Sequence, residues 1–258
     1  MKIGIWFESE KMSKSYQRLS SLVQILNTFE GVSAESFIPF GNYSHLVISS
    51  DLIDKNIDLI LRQKTNKIFI DGLSEKYIKT FKNQRNFNYG VDYRVPRKSK
   101  NLELNTCLWV GFKEDVKLLQ DCKKFLKGKK IFVCTDSLED AKELNLNFEF
   151  TYEYKADFVL ATNLKALFEA WVRKIPVISL STPEIENEFE KIYSQFDIPL
   201  SYKEFFRPSK HNELEDFLEF YKVSPESFEY ISQITRDYVL KNHLNYNRAV
   251  DWIEVLND

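Results

Sequence analysis

Apolar and polar positions along the chain change period repeatedly. Residues 2–7 form a short apolar run, while residues 13–29 place Leu19, Leu22, Val23 and Leu26 at helical spacing. Residues 32–40, 45–49 and 67–71 read as further strands, and residues 52–62 as a helix. Strand and helix patterns in alternation favour a mostly parallel sheet covered by helices.

Between residues 81 and 103 that pattern fails. The stretch is polar and basic and is broken by Pro96, so it reads as the crossing between two domains. A second series follows: strand 106–110, helix 114–126, strand 130–135, a short helix at 138–144, strand 157–161, helix 163–173 and strand 176–180. From Pro183 onward helical spacing dominates, at 184–195, 213–221, 226–240 and 245–256. The economical account is two βα domains with a helical tail. Such domains place their ligand at the carboxyl ends of their strands, in the cleft between them.

Composition narrows the chemistry. Lys+Arg 36 against Asp+Glu 38 excludes a uniformly basic nucleic-acid coat and leaves room for a local basic patch. Hydrophobic residues make up 43% of the 258, which supports a sizeable core and excludes disorder as a description of the whole. Cys107, Cys122 and Cys134 are widely spaced and sit mostly in apolar runs, as reduced thiols of a cytoplasmic protein would. No apolar run reaches the roughly 18–20 residues of a membrane span, and the opening residues read as a strand instead of a leader. The seven glycines form neither G-x-G-x-x-G nor G-x-x-x-x-G-K-[ST], and His45, His211 and His243 have no metal-ligand spacing. Metal-independent chemistry is therefore expected.

The most informative segment is residues 156–179. A buried strand feeds a helix whose start carries Thr162 and Asn163, both good caps. Backbone N–H groups at such a start suit a phosphate. Glu169 follows about two turns in, and Pro176-Val-Ile-Ser forms the next strand. An acceptor-only carboxylate can take two hydroxyl donors; the bland alternative is a surface glutamate pairing with Arg173 at i,i+4. The segment resembles the carboxyl-terminal domain of GT-B glycosyltransferases, and that resemblance implies a ribose-binding role for Glu169. The chain departs from the pattern at Ala161–Thr162, where many relatives have a second glutamate, and at Lys174–Ile175, where glycine usually precedes Pro-Val.

Two further segments bear on the same reading. Strand 106–110 ends at Gly111, after which Lys113 and Lys117 share one face of a helix start. With Lys165 they could clamp a diphosphate through charge-assisted hydrogen bonds. Asp71 ends the strand at 67–71 and is placed to act as a general base, or simply as a turn former before Gly72. Both arrangements resemble those of bacteriophage DNA β-glucosyltransferases, with lysine where those enzymes use arginine. The resemblance implies that Asp71 deprotonates the acceptor hydroxyl. Glu8 and Glu10 after the first strand, and Arg94 and Arg97 in the crossing, are candidate acceptor contacts. A second basic cluster, Lys123 to Lys130 around Gly128, reads first as a solvated helix end.

The tail at 238–252 also looks like the end of GT-B chains, whose last helix crosses back. The expected architecture is therefore two Rossmann-like domains facing a cleft. Residues 1–100 would bind the acceptor, residues 101–240 the nucleotide sugar, and residues 241–258 would pack on the first domain. The expected activity is sugar transfer from a nucleotide sugar, UDP-sugar first, without a bound cofactor. The acceptor is a hydroxymethylated base in phage DNA or, alternatively, a cell-surface glycan. A GT-B module that binds nucleotide or partner without turnover is the rival from another class.

Overall fold

A computed structural model of the chain describes residues 1–9, 13–65, 67–73, 75–85, 87, 90–94, 96, 104–135, 138–142, 145–151 and 153–257. The chain divides into two compact units, Met1–Gly90 with Asn245–Asp258, and Val91–Leu244. The crossing thus falls earlier than residue 100. Val91 already belongs to the second unit, where its N–H donates to the His243 carbonyl at 2.8 Å and it bridges to Leu244.

In the first unit β1 (Lys2–Trp6), β2 (Ser33–Ser36), β3 (His45–Ser49), β4 (Ile68–Asp71) and β5 (Gln84–Arg85) form one sheet in the order β2-β1-β3-β4-β5. All its pairings are parallel. Helices α1 (Lys14–Leu26) and α2 (Ile53–Leu61) connect strands. The strand expected at 32–40 is cut to Ser33–Ser36, because the chain then turns through Phe40, at φ 61°, back to β3. Ser13 caps α1 by accepting from the Tyr16 N–H at 3.2 Å.

Side-chain alternation along the strands separates two apolar faces. Ile3, Ile5 and Val47 pack with Leu19, Leu22 and Leu26 of α1 and with Ala249, Trp252 and Leu256 of the C-terminal helix (Asn245–Asn257). Leu46, Ile48 and Ile70 pack with Ile53 and Ile60 of α2 on the other face. Burying each of these side chains contributes about 1.5–3 kcal/mol.

The second unit is again a five-stranded parallel sheet: β6 (Thr106–Gly111), β7 (Lys130–Thr135), β8 (Phe148–Phe150), β9 (Phe158–Ala161) and β10 (Val177–Ser179), in the order β10-β9-β6-β7-β8. The expected helix at 114–126 is broken. A 3₁₀ turn at Lys113–Asp115 leads into α3 (Val116–Asp121), Cys122 interrupts, and α4 (Lys123–Leu126) follows. Then come α5 (Leu138–Lys142), α6 (Leu164–Val172), α7 (Pro183–Gln195), α8 (Leu200–Lys203), α9 (Leu214–Val223) and α10 (Pro225–Asn242).

Helix α6 is buried at every position except Lys165, as expected for a helix hydrophobic nearly all round. Its end is a Schellman motif: the Ile175 N–H donates to the Ala170 carbonyl at 3.0 Å and the Lys174 N–H to that of Trp171 at 3.1 Å. Lys174 occupies the left-handed position at φ 55°. Glycine would take that position at no steric cost, so the lysine there carries some backbone strain.

Candidate functional site

In an open parallel sheet, ligands bind outside the carboxyl ends of the strands where the strand order reverses. In the second unit the reversal lies between β6 and β9, the first and fourth strands of that sheet. Gly111 ends β6 there, and Thr162 and Asn163 follow β9. A Cβ on Gly111 would collide with the Trp109 indole, so glycine is required by packing whatever else approaches it.

Asn163 caps α6. Its Oδ1 accepts from the Ala166 N–H at 3.0 Å, while its Nδ2 donates to the Val110 carbonyl and to Asp115 Oδ2, both at 3.0 Å. The same Asp115 oxygen accepts from the Phe112 N–H at 2.9 Å. Asn163 and Asp115 therefore pin the end of β6 to the start of α6. Thr162 is not a second cap: it is buried, and its Oγ1 accepts from Trp109 Nε1 at 3.2 Å. The sequence offered no signal for Asp115 beyond its spacing three residues after Phe112.

Glu169 is 6% exposed, so it is not a surface glutamate. Lys165 Nζ stands 2.9 Å from Oε1, and Arg173 Nη1 bonds both Oε2 and, at 2.8 Å, the Glu169 carbonyl. Burial alone would raise this carboxyl, but Lys165 and Arg173 outweigh it and hold Glu169 below the usual carboxylate range. Arg173 in turn lies 4.4 Å from the Tyr154 ring centroid. Burial, with the Glu169 charge nearby, pushes the Tyr154 phenol well up.

The lysine clamp is not assembled as expected. Lys165 is committed to Glu169, and Lys117 is exposed on α3. Lys113 lies in a 3₁₀ turn instead of on a continuous helix face shared with Lys117, and its side chain is outside the described residues.

The first unit carries Asp71 at the carboxyl end of β4, 2% exposed. Arg18 of α1, which sequence reasoning missed, grips it bidentately, Nε to Oδ2 at 2.7 Å and Nη2 to Oδ1 at 2.9 Å. Arg18 Nη2 also donates to the Phe87 carbonyl at 2.8 Å. Burial raises the Asp71 carboxyl, Arg18 opposes that, and the net direction is upward. Gly72, at φ 110°, carries the chain away from Asp71 through a conformation that disfavours any side chain, and a Cβ there would meet Ser50.

Of the remaining candidates, the Glu8 N–H donates to Ser15 Oγ at 3.0 Å and its carboxylate lies 3.6 Å from Lys55. Arg94 is exposed and pairs with Asp92 at 3.0 Å. Glu10 and Arg97 lie outside the described residues. Among the described residues no group of three or more His, Cys, Asp and Glu is placed to hold a metal ion, and no helix is long and apolar enough to cross a membrane.

Comparison with solved structures decides the architecture. The chain is similar to S. aureus TarM, determined as a mutant in complex with fondaparinux, alpha-GlcNAc-glycerol and UDP. The TM-score is 0.53 at 10% identity, over 83% of this chain and 55% of that one. It is also similar to the lipopolysaccharide outer core galactosyltransferase WaaB in its apo form, at a TM-score of 0.51 and 13% identity, over 99% of both chains. The chain has the GT-B fold. It spans about half the length of TarM. No family model and no curated protein sequence matches it. The β6–β9 reversal, with Asn163 and Glu169 on the helix that leaves it, is the candidate ligand end of the second unit.

Proposed function

We propose that this chain is a glycosyltransferase that moves a sugar from a nucleoside-diphosphate sugar, UDP-sugar first, to a glycan hydroxyl. The observation that carries this reading is the placement of Glu169: an ionised carboxylate on the helix that leaves the reversal point of a GT-B unit. In this reading Glu169 accepts the ribose hydroxyls. The Asn163-capped start of α6, with Lys113 and Lys117, stabilises the departing diphosphate, Gly111 lets it approach, and Lys165 keeps Glu169 ionised beside it. Asp71 activates the acceptor hydroxyl, with Glu8 and Arg94 as acceptor contacts. The glycan acceptor is preferred because one GT-B neighbour is by name a lipopolysaccharide galactosyltransferase.

One observation favours a second reading. Both oxygens of Glu169 are engaged by cations of its own helix, and both oxygens of Asp71 by Arg18. In a nucleotide-binding module without turnover these carboxylates would serve as internal struts.

One measurement tests both readings and a second separates them. Nucleoside diphosphates bound to the folded state raise the melting temperature, and either reading expects such a shift. A full panel at millimolar concentration giving none would sink both. Slow hydrolysis of a nucleotide sugar without acceptor is expected of the transferase alone.

A further inference from the structure

The lysine run at residues 123–130 contains two kinds of side chain. Lys129 Nζ donates to the Phe125 carbonyl at 3.0 Å and stands 3.3 Å from Glu215, and Lys130 pairs with Glu149 at 2.9 Å. Lys123, Lys124 and Lys127 are exposed, with no carboxylate at ion-pair distance among the described residues. A solvated helix end accounts for lysines that point apart into water. It does not account for three that border one open groove of about 780 Å³.

The groove lies at the amino end of β7, away from Gly111 and Asn163 at the carboxyl ends. The amides of Gln120, Asn145 and Asn147 also line it, with Asp121 as the acid among its described lining. Asn145 is held at φ 50°, in the left-handed region. Three exposed cations and three side-chain amides lining one groove form a mixed surface, suited to a ligand with both phosphates and hydroxyls.

We propose that this groove binds a phosphate-bearing carbohydrate chain, the lysines taking the phosphate oxygens and the amides the sugar hydroxyls. A nucleic acid strand fits less well, because among the described lining no aromatic side chain offers a base a stacking face. A bilayer surface fits less well, because the feature is concave and no exposed large apolar side chain is among its described lining. Occupancy needs no nucleotide sugar, so the site stands or falls apart from the transferase reading.

The test is fluorescence anisotropy of the full chain with a labelled phosphomannan. Lys123→Gln/Lys124→Gln/Lys127→Gln is compared with a control, Lys64→Gln/Lys67→Gln/Lys79→Gln, that removes three exposed lysines of the first unit. The groove variant is expected to lose about tenfold or more in affinity, the control to bind like wild type, and dephosphorylated mannan not to bind. Single Lys124→Gln and Lys127→Gln variants, each altering one exposed side chain, should show partial losses if the triple variant does not fold. Equal losses in groove and control variants would reduce the effect to net charge and overturn the proposal. So would wild-type affinity in the groove variant, or tighter binding of oligo(dT) or phosphatidylglycerol vesicles than of phosphomannan.

Discussion

Asp71 and Glu169 are buried carboxylates, one in each unit, whose charges are handled in opposite ways. Asp71 meets a single guanidinium delivered by a distant helix, and burial still wins, so its carboxyl is raised. Glu169 meets two cations one turn away on either side of its own helix, and they win, so its carboxyl is lowered. The cations themselves have equal access to water, the Arg18, Lys165 and Arg173 side chains being 18%, 16% and 19% exposed, so the difference lies in their number and in how near they stand along the chain. Local spacing thus supplies a durable charge at Glu169, whereas the charge of Asp71 depends on the assembled fold.

The comparison breaks most visibly at Arg18. Arg18→Met leaves Asp71 buried without its partner, and a loss of about 3–5 kcal/mol is expected by chemical denaturation at neutral pH. Because Asp71 then protonates still more readily, the loss should shrink toward acid pH. A change below about 1 kcal/mol would show that Asp71 escapes to water.

Next in size is turnover in Asp71→Asn. A general base lost at this position should lower the rate at saturating donor about 100-fold while donor affinity persists. Near wild-type transfer would leave Asp71 as a strut for Arg18 and the Phe87 carbonyl.

Glu169→Gln should cost about 1–3 kcal/mol in donor affinity, measured by titration with UDP. Its effect on stability is expected to be smaller than that of Arg18→Met, since both freed cations can turn to solvent. Undiminished UDP affinity would remove Glu169 from the nucleotide end.

A third carboxylate sharpens the contrast in the gentlest way. Glu188 is 1% exposed; burial alone would raise it, but bonds from His243, Lys191 and Tyr238 hold it down at about 2. Its folded pKa lies below its unfolded value. The stability it contributes is therefore present above about pH 4.5 and lost as pH falls from there toward 2. The wild-type melting temperature should fall across that window, and that of Glu188→Gln should be lower at neutral pH and flatter below it. Asp71, raised by burial, works with the opposite sign. Parallel acid slopes in the two proteins would argue against the Glu188 network.

What the sequence disclosed follows from the range of each interaction. Long apolar strands such as β6 and the i,i+4 pairing of Glu169 with Arg173 are visible in local spacing. The two-residue β5, the β8 strand Phe-Glu-Phe and the interruption at Cys122 carry almost no periodic signal. The Arg18–Asp71 grip joins residues far apart along the chain, and nothing near either residue advertises it. Thr162 looked like a cap because hydroxyls often are; the Trp109 indole claimed it instead.

The first unit is discontinuous, and this has a consequence for the order of events during synthesis. Ala249, Trp252 and Leu256 complete the apolar face formed by Leu19, Leu22 and Leu26. A ribosome releases those residues only after the whole of the second unit has emerged. The amino-terminal sheet must wait with that face only half covered, by α1 alone, while the later-made unit can already close. The helix Asn245–Asn257 therefore acts as a latch, and a nascent chain stalled just short of it would present one finished unit and one open, chaperone-dependent unit.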